Sequence, residues 1–462
     1  MDDARSVGRD AVIVLPGIMG SELVDAETQR VLWGVADIGW YVRAWTSGAG
    51  LDALAVTEDE LAGRIGRVRA TRVLRVPAFA PMLRGVEPYT ALLTGVRRAA
   101  AHPDAVLEFA YDWRLPVPVN AAVLADAAER HLRRWRAHRE GSRSARLVLV
   151  AHSMGGLVAR WFTEQLHGDG ETRYTVTLGT PFYGSAKAAV ILSTGRGGPL
   201  PLPRARLRRL VAGMPGLYAL LPAYRCVEEG PAARPLTADD VARLGGDADL
   251  AKAAMAMQAV LRADGGRGLR PLVGVEQPTV QSIVLADGVA EGREYTLLPG
   301  DDGPPRRVDR GGDGTVYRDA AAPVGAEPVY LPQTHTAIAK TREAVAHVRS
   351  VLTENPLGPP LGETAIGLTL PDVVTAGAPF EIGITGTDPA VVTCRVLDVG
   401  SERQVDRPAA GRRDGRLSAT VTLPEPGVYR VELDGGGASP VSDLVMAVPA
   451  DDRDEPASRA HR

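Results

Sequence analysis

Short apolar runs and helical periods alternate along the first 355 residues. Ala11 to Leu15, Val106 to Ala110, Leu147 to Val150, Tyr174 to Leu178 and Pro271 to Val275 are nearly continuous apolar segments of strand length. Runs of that kind, with no polar residue at every second place, read as strands covered on both faces. Between or after them lie stretches of helical period, such as Ala121 to Ala137 and Leu157 to Gln165. The alternation predicts an α/β fold with a mostly parallel sheet and helices on both sides. Asn355 to Gly362 (NPLGPPLG) breaks the pattern and reads as a linker. Beyond it, Ala365 to Leu370, Phe380 to Ile384, Val391 to Leu397, Leu417 to Leu423, Tyr429 to Leu433 and Leu444 to Val448 are short, β-rich and separated by Gly, Pro and Asp turns. They predict a small Ig-like antiparallel β-sandwich. The expected organisation is an α/β domain over 1–354, a linker over 355–363, an accessory β-sandwich over 364–450 and a disordered tail over 451–462.

Composition narrows the class. The 462 residues carry a net charge of −3, which argues against a nucleic-acid partner or a polybasic membrane tether. No apolar run is long enough for a transmembrane helix, and the polar Met1 to Asp10 lacks the pattern of a signal peptide. A cytoplasmic protein, at most peripheral to a membrane, is the expectation. Cys226 and Cys394 offer neither a disulfide framework nor a metal-ligand spacing.

The strongest chemical signal is Ala151-His152-Ser153-Met154-Gly155-Gly156, between an apolar strand and a helical stretch. A serine on a tight strand-to-helix turn is pushed out above the sheet edge, and the residues two before and two after it must be small. Here they are Ala151 and Gly155. A serine hydroxyl needs a neighbouring base. His335 follows the short apolar run Pro328 to Leu331 and precedes a helical stretch, so it belongs on a loop at a strand's end. His167, His347 and His461 lie at a helix end, within a helical pattern and in the tail, and His152 reads as structural. For the acid that orients the base, Asp313 in the turn 311–316 and Asp287 at the end of the run Ser282 to Ala286 are both candidates. Pro16-Gly17-Ile18-Met19-Gly20 closes the first strand with a sharp turn. The backbone N–H groups of Ile18 and Met154 form the natural pair for an oxyanion.

With these parts in place the sequence resembles the lecithin–cholesterol acyltransferase-like branch of the α/β-hydrolases, which includes lysosomal phospholipase A2 and phospholipid–diacylglycerol acyltransferases. The resemblance runs from VLPGIMGSEL (Val14 to Leu23) through RVPAFAP (Arg75 to Pro81), YDWR (Tyr111 to Arg114), AHSMGG, TLGTPFYGS (Thr177 to Ser185), MPGLYALLP (Met214 to Pro222), GDGTV (Gly312 to Val316) and THTAIA around His335. It implies Asp313 as the acid, supports Ile18 and Met154 as oxyanion donors, and implies an acyl-enzyme on Ser153 formed from a lipid ester, commonly a glycerophospholipid. No cofactor or metal is implied. The sandwich and the lack of a disulfide pair depart from the animal members.

Two segments are candidates for lipid contact. Trp33, Trp40 and Trp45 are three of the chain's six tryptophans and cluster with Tyr41 after the first strand. Trp33, Trp40, Phe79 and Trp113 are the expected substrate-binding side chains. A lid is expected around 190–265, where Arg204 to Met214 places Leu207, Leu210, Val211 and Met214 at helical spacing behind four arginines. The leading expectation is a serine-dependent lipid acyl hydrolase or O-acyltransferase. The alternative is a hydrolase-fold scaffold whose sandwich, expected to be a recognition or partner-docking module, carries the function.

Overall fold

The computed structural model describes residues 7–34, 49–74, 89–197, 204–230, 232–262, 268–298, 305–355, 366–386, 392–413, 416–435 and 439–449. Trp40, Phe79, nearly all of the expected linker and the terminal tail lie outside the described residues.

Six strands form the central sheet: β1 (Ala11–Leu15), β2 (Val106–Glu108), β3 (Leu147–His152), β4 (Thr172–Leu178), β5 (Leu269–Val275) and β6 (Val329–Pro332). Their order is β6-β5-β4-β3-β1-β2, and every neighbouring pair is parallel. The apolar runs are continuous because both faces are covered. In β1, Ala11, Ile13 and Leu15 enter one core cluster while Val12 and Val14 enter another. Leu147, Leu149 and Ala151 of β3 divide from Val148 and Val150 in the same way. Helices α1 (Thr90–Ala99) and α4 (Arg342–Thr353) cover one face, and α2 (Val117–Arg136) and α3 (Met154–Gln165) the other.

The strand order reverses at β1. From β1 the chain moves outward to β2, then returns to β3 on the opposite side and continues away. In an open parallel sheet the crevice outside the carboxyl ends at such a switch point is where ligands bind. The loop after β1 and the loop after β3 meet there.

The C-terminal strands form two sheets around a separate apolar core that includes Ile382, Val396, Val421, Val431 and Leu433. One sheet pairs Gly367–Thr369, Pro379–Thr385, Arg416–Thr422 and Gly411–Arg413. The other pairs Val373–Thr375, Val441–Val448, Gly427–Asp434, Thr393–Asp398 and Gln404–Asp406. The expected sandwich is present, antiparallel except for the parallel pairing of Val373–Thr375 with Val441–Val448.

Candidate active site

Ser153 links β3 to α3 with φ 51° and ψ −125°. A non-glycine residue at positive φ is strained, and strain at a strand-to-helix turn lifts the side chain above the sheet. The neighbours permit it by being small. A Cβ added at Gly155 would run into the carbonyl of Pro16, and one at Gly156 into the side chain of Thr180. The loop after β1 lies directly over the serine, since a Cβ added at Gly17 would stand 3.0 Å from Ser153 Cβ.

His335 stands on the loop after β6. Its Nε2 is 2.9 Å from Ser153 Oγ, and its Nδ1 is 2.7 Å from Asp313 Oδ2. Asp313 is buried, and its other oxygen accepts the N–H groups of Thr315 at 2.9 Å and Val316 at 2.6 Å. The backbone N–H of His335 donates to the carbonyl of Asp313 at 2.7 Å, so the two loops are joined twice. With Asp313 accepting from Nδ1–H, the neutral ring presents a basic Nε2 to the serine hydroxyl. The structure thus brings together three of the expected residues, and of the two acid candidates it joins Asp313 to the base. Asp287 instead sits exposed in the turn between the paired strands Ser282–Ala286 and Val289–Arg293, where Asp287 (φ 50°) and Gly288 (φ 75°) both take positive φ. Asp-Gly is a favoured hairpin turn for that reason.

Met154 opens α3 directly after the serine, and Ile18 lies in the turn closed by Gly20 N–H to Gly17 O at 3.0 Å. The Gly17 N–H is already given to Tyr89 Oη at 2.8 Å. Tyr89 in turn is 2.8 Å from His152 Nδ1, and His152 Nε2 is 3.0 Å from the carbonyl of His335. A carbonyl only accepts, so Nε2 carries the proton of His152 and the tyrosine O–H donates to Nδ1. Burial, with His335 adding to it, pushes the His152 pKa down to about 3 and keeps the ring neutral. The pattern Gly17, Tyr89, His152, His335 couples the turn after β1 to the loop carrying His335.

Trp33 and Trp113 do not present open surface. Both are buried, in edge-to-face contact with centroids 5.3 Å apart, and their indole N–H groups donate to Met19 O at 2.9 Å and Ser21 O at 3.2 Å. They support the turn after β1 from behind, which corrects the expectation of substrate contact. The rest of YDWR is structural too. Tyr111 donates to Pro16 O at 2.9 Å, and the buried Arg114 is bound by Asp112 and Glu60, each at 2.7 Å. Helix Arg204–Ala212 turns Leu207 and Val211 into the main core, with Arg204, Arg208 and Arg209 outward. MPGLYALLP packs beside the nucleophile: Gly216 N–H donates to Arg114 O at 2.9 Å, and a Cβ there would meet Met154 Cε at 3.3 Å.

Residues 82–242 match the family model described as Lecithin:cholesterol acyltransferase. Among solved structures the chain is similar to the Tle4–Tli4 complex, at 16% identity over 74% of this chain and 96% of that one, with a TM-score of 0.48. Bacillus licheniformis lipase BlEst2 in mature form matches at 13% identity over 75% and 92% of the two chains, with a TM-score of 0.32. Phospholipase PlaB from Legionella pneumophila matches at 10% identity over 93% and 91%, with a TM-score of 0.26. No curated protein matches the sequence.

Sequence reasoning missed Tyr89 and two glycines that make room for the acid. A Cβ at Gly179 (φ 58°) would stand 2.9 Å from Asp313 Oδ2, and one at Gly274 would collide with Asp313 Cβ. Gly179 lies inside the quoted TLGTPFYGS motif, which was the available signal. Away from Ser153, Asp313 and His335, the residues His102, Asp104 and His138 bring ligand atoms within 4.8 Å of one another. Both imidazole Nδ1 atoms accept backbone N–H groups at 3.1 Å, which puts the proton of each neutral ring on Nε2 and makes the group a poor fit for a metal ion. No described helix is long and apolar enough to cross a membrane.

Proposed function

We propose that the protein is a serine-dependent acyl hydrolase or O-acyltransferase acting on lipid esters, with glycerophospholipids as the substrate class. The observation that carries the reading is the continuous hydrogen-bonded line from Ser153 Oγ through His335 to Asp313, at 2.9 and 2.7 Å. The match to the lecithin:cholesterol acyltransferase family over 82–242 supports the lipid ester as substrate.

In this reading Ser153 Oγ attacks the ester carbonyl while its proton passes to His335 Nε2. Asp313 stabilises the imidazolium and holds the ring in its tautomer. The negative charge that develops on the carbonyl oxygen is met by the N–H groups of Ile18 and Met154. Collapse breaks the C–O bond to the leaving alcohol, which takes the proton from His335. Water or an acceptor alcohol then gives its proton to the same nitrogen and attacks the acyl-enzyme, which is why hydrolysis and transfer share one site. The segment 190–265 is proposed as the cover of this site, its apolar residues turned inward when closed.

The reading is tested by turnover of a soluble short-chain ester and of phospholipid vesicles, wild type beside Ser153→Ala. A loss on the order of 10⁶-fold with retained fold is expected. Equal turnover by the alanine variant sinks the proposal.

A further inference from the structure

Three buried polar side chains behind the triad reach across to the sandwich. Gln277 follows β5, and its backbone N–H donates to the carbonyl of Gly312, next to the acid, at 2.9 Å. Its side chain turns the other way: Nε2 donates to Ile366 O at 2.8 Å and Oε1 accepts the N–H of Leu368 at 3.0 Å. Gln333 repeats the arrangement beside the base. Its Nε2 donates to Pro440 O at 3.0 Å, and its Oε1 accepts the N–H groups of Thr334 at 2.9 Å and Ser442 at 3.4 Å. Thr334, immediately before His335, gives its hydroxyl to Ser442 O at 2.7 Å. Gln277, Gln333 and Thr334 are 1%, 1% and 4% exposed, out of reach of bulk water.

The rest of the interface agrees. Glu343, at the start of α4, accepts the N–H and hydroxyl of Ser439 at 3.1 and 2.7 Å. Val399 is buried within the apolar cluster that forms the α/β core, and Val428 and Leu444 pack against the same cluster. A buried amide needs both a donor and an acceptor met. Here both needs are met mainly by the main chain of the sandwich, in fixed positions. We infer that the C-terminal sandwich braces the acid and base loops, acting through Gln277, Gln333 and Thr334 as positioning residues. Side chains that transfer a proton must be held within about 0.5 Å of the productive geometry, and neither the loop carrying Asp313, which follows the short strand Arg306–Val308, nor the loop carrying His335, which leaves β6, has an α-helix start at that residue to fix it. The sandwich supplies what the first turn of α3 supplies for Ser153. Its catalytic consequence rests on the acyl-enzyme reading.

The test uses the full chain with Gln333→Leu and Thr334→Val, beside Thr334→Ser, which keeps the hydroxyl. On a soluble short-chain ester, kcat falls about 10- to 100-fold for Gln333→Leu and less for Thr334→Val, with KM little changed, since displacement of about 1 Å carries costs of that size. Thr334→Ser restores the wild-type rate. Amide hydrogen exchange over 311–317 and 333–337 speeds up in the leucine and valine variants, while the strands of the central sheet keep their protection. Unchanged kcat together with unchanged exchange overturns the brace, leaving the acyl-enzyme reading intact. Faster exchange in these loops of the variants, together with a wild type whose Ser153 does not react, overturns that reading instead and leaves the brace standing. If Gln333→Leu does not fold, Gln277→Leu applies the same comparison from the acid side.

Discussion

The two halves of the candidate site are built by different means. Ser153 is placed by local sterics: a strand, a strained turn and a helix, with Gly155 and Gly156 making room. The acid and base are placed at long range, on loops that bond to each other, the His335 loop bonding directly to the C-terminal sandwich and the Asp313 loop reaching it through Gln277. Behind Ser153, Tyr111 and Trp113 secure the turn after β1, while Asp112 and Arg114 of the same motif tie it to Glu60. A nucleophile can thus be specified by a few adjacent residues, whereas its partners need distant ones. The join between the halves is His152, which receives a hydrogen bond from Tyr89 on one side and donates to the backbone of His335 on the other.

The comparison can be broken from either side. The largest effect is expected on the acid side. Asp313→Asn keeps the shape but no longer fixes the tautomer of His335, and kcat is expected to fall about 10⁴-fold with little change in thermal stability. A loss below tenfold would mean that another group orients the base. On the nucleophile side, Arg114→Met leaves Asp112 and Glu60 facing each other without the guanidinium that binds both. That should cost about 3–5 kcal/mol of stability in urea unfolding. A loss under 1 kcal/mol would show that the motif's buried charges are not needed to hold this part of the fold.

How much of this was legible follows the same division. The strands β1 and β3, the elbow at Ser153 and the opening of α3 are set by neighbours in sequence, so apolar runs and small residues reveal them. His335 was reached through its position after an apolar run. Between Asp313 and Asp287 local pattern could not choose, because both precede glycine and both occupy turns; the resemblance favoured Asp313, and the tertiary contact to His335 separates the two physically. Trp33 and Trp113 misled for a related reason: a tryptophan reads alike in sequence whether it faces a substrate or packs edge to face behind a loop. The roles of Tyr89, Gln277 and Gln333 had no local signal, since each acts through partners far along the chain.

The smallest expected effect sharpens the picture at the join. The folded protein holds His152 neutral with its pKa lowered to about 3, whereas the unfolded chain protonates it near 6.5. Below that value the unfolded state binds a proton that the folded state does not. The contribution is therefore whole above pH 6.5 and is lost as the pH falls toward 3, by up to about 1.4 kcal/mol per pH unit. Urea unfolding of wild type and His152→Gln between pH 7.5 and 5.5 should show a steeper loss in wild type. Parallel curves would mean that the ring is protonated in the folded state.

The central claim is a reactive nucleophile at Ser153 served by His335 and Asp313. Its most direct test is reaction with a fluorophosphonate probe followed by mass spectrometry to place the adduct, in wild type, Ser153→Ala and His335→Ala. The account predicts one adduct on Ser153 in wild type, none at that position in Ser153→Ala, and far slower labelling in His335→Ala. An adduct on another serine, or labelling of Ser153 that ignores the loss of His335, would contradict it.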